Sequence, residues 1–403
     1  MNLRSGQLYW PTTARRPTLL SSPRRRVHVD ALILGAGVTG ALAAYQLTKA
    51  GASVAIVDSR RPASGSTPAS TALLQYEIDT PLVKLSAMLG KKHAEAAYRE
   101  SFRALADLQS LVHDLGDDVD LAARRSLHLA VKTSDYRGFG AEAKARCAIG
   151  IPAKTISRAE LRSRFGLERP GAILSENAFE VNPLKLTYRL LRGARDRGAI
   201  VLRRTQIDLA ALVEKARPFR LILRNGTRVT AEHIVIATGY ETPKEFREIS
   251  LLTELRSTFA LATTPARSEP WAERALLWDA GDPYFYVRTT ADGRILAGGE
   301  DEPFTTASAR DALIATKSRR LMRKLRELLP DLNCSADFRW AGTFAQTKDG
   351  LPYIGEHEEW RGVHFALGYG GNGITFSLIA ANIIAAAVAG RGHPAARLFR
   401  FSR

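Results

Sequence analysis

Hydrophobic positions group into a few regular patterns along the chain. Residues 31–34 form one apolar run and 54–57 a second, with Leu42, Ala43, Tyr45 and Leu47 among good helix formers between them and Gly51 after them. That order predicts strand, helix, strand. Residues 199–202 predict another strand, 221–229 a hairpin turning at Asn225-Gly226, and 233–240 (HIVIATGY) a buried strand ending at Ala237-Thr238-Gly239. Between 306 and 329, Ile314, Leu321, Leu325, Leu328 and Leu329 recur at helical spacing, and Arg319, Arg320, Arg323, Lys324 and Arg326 form a solvated face. Residues 364–385 read as strand, glycine-rich turn and helix. The alanine-rich part, 374–389, carries Ser377 and Asn382 and suits a buried helix better than a membrane span of ~20 apolar residues. In 284–288, alternation puts Tyr284, Tyr286 and Arg288 on one strand face, with Phe285 and Val287 on the other.

A length of 403 residues implies more than one domain. The 45% hydrophobic and 25% charged composition excludes disordered, collagen-like and disulfide-stapled chains. Only Cys147 and Cys334 occur, without a CxxC, which excludes a zinc ribbon and favours a reducing, cytoplasmic setting. The eight histidines (His93, His113 and His233 among them) include no HExxH, and no metal is expected. The net charge of +17 favours polyanions or acidic small molecules as partners. Residues 1–28 form a basic arm with Arg4, Arg15, Arg16, Arg24, Arg25 and Arg26 and no acidic residue. It could be a targeting leader of twin-arginine appearance or a nucleic-acid-binding arm. The favoured reading is an extension lying on the first domain, anchored by Leu8, Tyr9 and Trp10.

Candidate chemistry enters at residues 29–58. Gly35-Ala36-Gly37-Val38-Thr39-Gly40 is a GxGxxG turn between the first strand and helix, and the second strand ends in Asp58. Gly35 permits the tight turn, Gly37 lets a pyrophosphate approach the backbone, and Gly40 lets helix and sheet pack closely. The helix N-terminus offers free N–H groups and a partial positive charge to phosphates. Asp58 is placed to accept from ribose hydroxyls and argues against a 2′-phosphate, hence against NADP.

Ser59 and Arg60 then lead into a small-residue loop with Ser66, Thr67, Ser70, Thr71 and Ala72, which continues through Leu74, Gln75 and Glu77. Such composition suits close contact with a ligand, although a mobile surface loop has the same composition. Near the end, Tyr369-Gly370-Gly371-Asn372-Gly373-Ile374 offers a second run of backbone donors before a helix.

LILGAGVTG, VAIVD, GSTPASTALLQYEID, FEVNPLKL, HIVIATGY, YFYVRTTADGRILAGGED, WAGTFAQTKDGLPYIG and LGYGGNGITFS together resemble the D-amino-acid-oxidase-like flavoenzymes, across almost all of residues 29–400. Glycine oxidase, sarcosine oxidase and gamma-glutamylputrescine oxidase are members. The resemblance implies an α/β fold with a Rossmann-like FAD-binding domain and an inserted α+β substrate domain. The expected division is 1–28 as the arm, 29–90, 180–245 and 335–403 as the discontinuous FAD domain, and 91–179 and 246–334 as the substrate domain. FAD would lie against the residues named above together with Ile207, Ala237, Thr238, Gly239 and Gly342.

The implied reaction is FAD-dependent oxidation of a C–N bond. Hydride passes to flavin N5, the imine hydrolyses, and oxygen or another acceptor reoxidises the flavin. Tyr284, Tyr286 and Arg288 are the leading substrate-positioning candidates, followed by Gln75, Glu77 and Trp340. Glu77 could hold an ammonium or serve as a structural acceptor. Two departures from the family matter. Phe344 stands where glycine and D-amino-acid oxidases carry the arginine that clamps a carboxylate. Either Arg288 substitutes for it, or the substrate is an amine, a polyamine conjugate or a larger secondary amine. Cys334 is displaced from the flavin-attaching cysteine of sarcosine oxidases, which falls near Gly342, so FAD is expected to be non-covalent. Ile295 stands near the place of their oxygen-activating lysine, which leaves oxidase and dehydrogenase both open. Alternatives are a flavoenzyme acting on a modified base of RNA, or a flavin-fold subunit of a larger dehydrogenase complex; nucleic acid and membrane partners are both disfavoured.

Overall fold

Arg26–Leu34 alternates exposed and buried positions over its first residues and is then buried throughout, because it enters the middle of a parallel sheet. A computed structural model describes residues 2–19, 25–116, 118–203, 205–207, 209 and 216–403. Arg24 of the basic arm lies outside the described residues.

Two sheets organise the molecule. The first runs Tyr353–Glu356, Val363–Leu367, Arg228–Ile236, Arg26–Leu34, Val54–Asp58, Ile200–Arg203, with Phe219–Ile222 also on Arg228–Ile236. Its central strands are parallel, while Tyr353–Glu356 and Phe219–Ile222 are antiparallel to their neighbours. The hairpin turns at Asn225-Gly226, where Gly226 has φ +82° and Asn225 Oδ1 accepts from the Thr227 amide. Helix Val38–Lys49 joins the first two parallel strands and packs on helices Pro183–Asp196 and Gly373–Val388. The last of these is mostly buried, as its alanine-rich sequence implied, and no helix among the described residues is long and apolar enough to cross a membrane.

The second sheet runs Arg4–Gln7, Ala336–Gln346, Glu254–Thr263, Ile295–Glu302, Phe285–Thr289, Leu276–Asp279, Ala122–Leu129, Gly171–Glu180, Leu73–Leu74, with Ala153–Ser157 also on Gly171–Glu180. Helix Ala307–Leu328 covers one part of it, burying Leu321, Leu325 and Leu328. The basic face of that helix is not wholly solvated. Lys324 pairs with Glu300 at 2.8 Å and Lys317 with Glu302 at 2.7 Å.

Strand membership departs from the division drawn on sequence at three places. Leu73–Leu74, assigned to the FAD portion, pairs with Gly171–Glu180 in the second sheet. Ala336–Gln346, assigned to the FAD portion, pairs with Glu254–Thr263 and so belongs to the second sheet. Residues 4–7, assigned to a separate arm, extend the same sheet by pairing with Arg339 to Gly342. Hydrogen bonding to a neighbour decides membership, and no segment announces its partner in its own sequence. Tyr9 and Trp10 are buried and Leu8 is partly buried, while Arg15, Arg16, Arg25 and Arg26 are exposed.

Candidate active site

The turn after Arg26–Leu34 is sterically determined. Gly35 has φ +108°, and a Cβ there would lie 2.2 Å from the Ala237 carbonyl oxygen. A Cβ on Gly40 would lie 1.9 Å from the Gly35 carbonyl oxygen, so Gly40 serves helix packing and does not itself line the groove beyond. That groove has a volume of about 1050 Å³. Its walls include Gly35, Gly37, Val38, Thr39, Asp58, Ser59, Arg60, Ser66, Thr67, Ser70, Ile207, Ala237, Thr238, Gly239, Tyr369, Gly373 and Ile374. Two helix N-termini open on it, at Gly37 and Asn372, and neither cap residue donates or accepts a side-chain capping bond.

Asp58 accepts from the amides of Ala36 and Arg60, both at 2.7 Å, and burial raises its pKa against those two donors. Arg60 pairs with Glu241 on the groove wall, Nη2 to Oε1 at 2.7 Å. The hydroxyls of Ser66 and Thr238 are buried there without a hydrogen-bond partner. Orphaned donors, open helix ends and an acid at the strand tip suit a dinucleotide with phosphates and ribose hydroxyls. The residues present therefore fit FAD.

A second cavity, of about 340 Å³, shares Ser66, Ser70, Tyr240, Gly373 and Ile374 with the groove. Thr71, Ala72, Gln75, Glu77, Gly342, Gly370, Gly371 and Asn372 line this smaller space, as do Tyr284 and Tyr286. Tyr286 can lie across its neighbour strand because position 298 is glycine; a Cβ there would fall 2.4 Å from the phenol oxygen. The rings of Tyr284 and Tyr286 are 5.4 Å apart, and Trp278 meets Tyr284 at 6.3 Å. Gln75 donates to Ser126 Oγ at 3.0 Å. Glu77 is buried with its carboxylate 3.6 Å from the Arg146 guanidinium, which Glu142 also holds at 2.8 Å.

Besides Gly40, three expected site residues fall elsewhere. Arg288 is 1% exposed and absent from both linings. It donates to the carbonyls of Ala72 at 2.7 Å, Val181 at 3.0 Å and Thr71 at 3.3 Å, and lies 3.7 Å from Glu180. Trp340 is buried, with Nε1 donating to the Ala69 carbonyl at 2.9 Å. Leu74 is a core residue. Tyr284 and Tyr286 line the cavity, but Arg288, two residues on, is covered by Thr71 and Ala72.

Sequence reasoning missed Asp79, Asp301, Tyr240, Thr258, Trp278 and Gln346 among the cavity walls. Asp79 and Asp301 end two of the motifs quoted above, and that was the available signal. Gly371 donates its amide to Asp79 Oδ2 at 2.9 Å. Burial pushes the Asp301 carboxyl up to about 6. Burial likewise pushes Tyr286 up to about 12, leaving both phenols protonated at neutral pH.

The histidines are less scattered than expected. His233 Nδ1 and His364 Nε2 are 3.1 Å apart beside Glu356. Arg217 approaches His233 Nε2 at 3.3 Å, which favours that nitrogen as an acceptor and leaves Nδ1 to donate to His364. A metal would need Nδ1 bare, so the arrangement suits a neutral hydrogen-bonded pair. Burial lowers both pKa values, His364 to about 3. Cys147 and Cys334 line neither cavity, in keeping with FAD held non-covalently.

Comparison with known proteins agrees with this geometry. A glycine oxidase of Bacillus licheniformis is 26% identical over 87% of this chain and 90% of its own length. Among solved structures, glycine oxidase from Geobacillus kaustophilus superposes with a TM-score of 0.75 at 23% identity, covering 94% of this chain and 99% of that one. L-proline dehydrogenase from P. horikoshii gives 0.78 at 18% identity, covering 93% and 97%. Residues 30–387 match the family described as DAO, FAD dependent oxidoreductase. With the glycine turn, the acid-tipped second strand and the adjoining cavity all inside that span, the chain belongs to the FAD-dependent oxidoreductase family.

Proposed function

We propose that this enzyme oxidises a C–N bond of a small amine or amino acid, and that the smaller cavity receives the substrate. The observation carrying the proposal is the wall shared between the dinucleotide groove and a cavity faced with Tyr284, Tyr286, Trp278 and Phe344. When bound, FAD supplies an acceptor for the hydride leaving the carbon that bears nitrogen, and the resulting imine hydrolyses. The chain's task is to orient that C–H bond and exclude water, which aromatic walls do without a dedicated acid–base pair. A volume of about 340 Å³ is at the small end of ligand sites.

The same walls weigh against an RNA base as substrate. Asp79 and Asp301 line the cavity, and no lysine or arginine does among the described residues, an arrangement that repels phosphates. The reading includes a cytoplasmic setting, supported by Cys147 and Cys334 being unpaired thiols. Oxygen or another electron acceptor completes the cycle. The test is the visible spectrum of the purified protein, followed by anaerobic addition of amines and amino acids. Bleaching by a C–N compound is expected. A flavin that dithionite bleaches and no C–N compound does would overturn the proposal.

A further inference from the structure

The charge of the cavity wall bears on the kind of amine admitted. The carboxylate-clamping position is Phe344, which lines the cavity with an apolar ring. Arg288, the one candidate replacement, has its guanidinium among the carbonyls of Thr71, Ala72 and Val181. No lysine, arginine or histidine lines the cavity among the described residues, so an α-carboxylate would have no cationic partner there.

Carboxyl groups, in contrast, stand on two walls, and desolvation raises the pKa of both Asp79 and Asp301. Asp79 is set against the glycine turn that precedes helix Gly373–Val388, and a side chain there would displace its carboxylate. A Cβ on Gly370 would lie 2.2 Å from Asp79 Oδ2, and one on Gly371 2.8 Å from Oδ1. Asp301 comes from the strand Ile295–Glu302, and its Oδ1 is buried without a hydrogen-bond partner. Glu77 is not counted with them, because Arg146 stands against its carboxylate. Tyr240, Tyr284, Tyr286 and Trp278 complete the walls with electron-rich faces that attract cations.

These carboxylates do not suit the reacting nitrogen. Hydride loss from carbon needs the nitrogen lone pair, hence a neutral amine, and an adjacent carboxylate would hold it as ammonium. They suit a second cationic group on the same molecule. We infer that the substrate is a diamine or polyamine-like compound, with one neutral amine oxidised and a distal ammonium recognised by Asp79 and Asp301, and with no carboxylate on its chain. This rests on the C–N oxidation reading above. In the step itself the C–H bond breaks, its electron pair passes as hydride to FAD, C=N forms, and a proton leaves nitrogen.

Three length-matched probes test the inference on the FAD-loaded enzyme without oxygen: butylamine, putrescine and γ-aminobutyrate, with glycine and sarcosine alongside. Half-saturation of flavin bleaching is expected to be about thirtyfold lower for putrescine than for γ-aminobutyrate, the effect of one or two charge-assisted contacts. Asp301→Asn, an isosteric change, should remove most of that ratio, and Phe344→Arg should shift preference toward γ-aminobutyrate. Where putrescine binds without being oxidised, a salt-sensitive shift in the flavin spectrum that γ-aminobutyrate does not produce still supports the recognition. Bleaching by glycine, sarcosine or γ-aminobutyrate with no response to putrescine overturns this inference and leaves C–N oxidation standing. Absence of bleaching by any C–N compound overturns the underlying reading as well.

Discussion

At position 288 a buried guanidinium donates to four main-chain carbonyls, those of Thr71, Ala72, Val181 and Thr289, and at position 301 the carboxylate Oδ1 is buried without a hydrogen-bond partner. The contrast separates a residue that builds the site from one that faces it. Arg288→Leu should lower the melting temperature and loosen FAD, since each charged hydrogen bond contributes about 1.5–3 kcal/mol, while the ranking of substrates stays unchanged. Asp301 has a pH signature. Burial raises its carboxyl from 3.8 to about 6, Asp79 adds to the rise, and Thr258, Arg256 and Lys317 oppose it. Between those values the folded chain keeps a proton that the unfolded chain has released, so this group's contribution to stability falls as pH rises through that window. Asp301→Asn should flatten that slope in thermal melts, and half-saturation by a diamine should improve as pH rises through about 6 only in the parent enzyme. The glycines also differ in their roles. Gly35→Ala, which would place a methyl 2.2 Å from a carbonyl at φ +108°, should cost about 2 kcal/mol or more. Gly37→Ala meets only the Thr67 hydroxyl, at 3.3 Å, and should spare folding while weakening FAD binding. The placement of Gly35, Gly37 and Asp58 together on the groove was legible, because their spacing within one βαβ unit is a local signal. The placement of Arg288 was not, because a strand's alternation names a face without saying what covers it.

Among elements, the loop 64–72 is held by its carbonyls from several directions. Arg4 Nε donates to Gly65 at 3.0 Å and Trp10 Nε1 to Ser70 at 2.6 Å, while Trp340 holds Ala69 and Arg288 holds Ala72. Arg288 also lies over the Trp10 ring at 5.4 Å. A segment whose composition resembles a mobile surface loop is thereby fixed as part of both cavity walls. The anchoring of the basic arm by aromatic residues was readable from Tyr9 and Trp10. Its strand was not, because Arg-Ser-Gly-Gln has no apolar alternation and is extended only through its pairing with Ala336–Gln346. Removing residues 1–12 should release FAD at a lower temperature than in the parent, measured as the onset of free-flavin fluorescence on heating. Unchanged onset would show that Arg288 and Trp340 suffice to hold the loop.

For the whole molecule, the parallel sheet was legible because its strands are continuous apolar runs, and the second sheet was less so because its order interleaves distant segments. Stripping FAD should lower the melting temperature, and added FAD should restore it in a concentration-dependent way, since a ligand bound only by the folded state stabilises it. The pairing of Arg4–Gln7 with Ala336–Gln346 also carries a consequence for biosynthesis. The short strand leaves the ribosome long before its neighbour exists, so the wide sheet cannot acquire its edge until most of the chain has been translated. A chaperone shielding the nascent amino-terminal stretch, or a bulky tag fused just ahead of it, would then act on a late docking event of folding rather than on an early one.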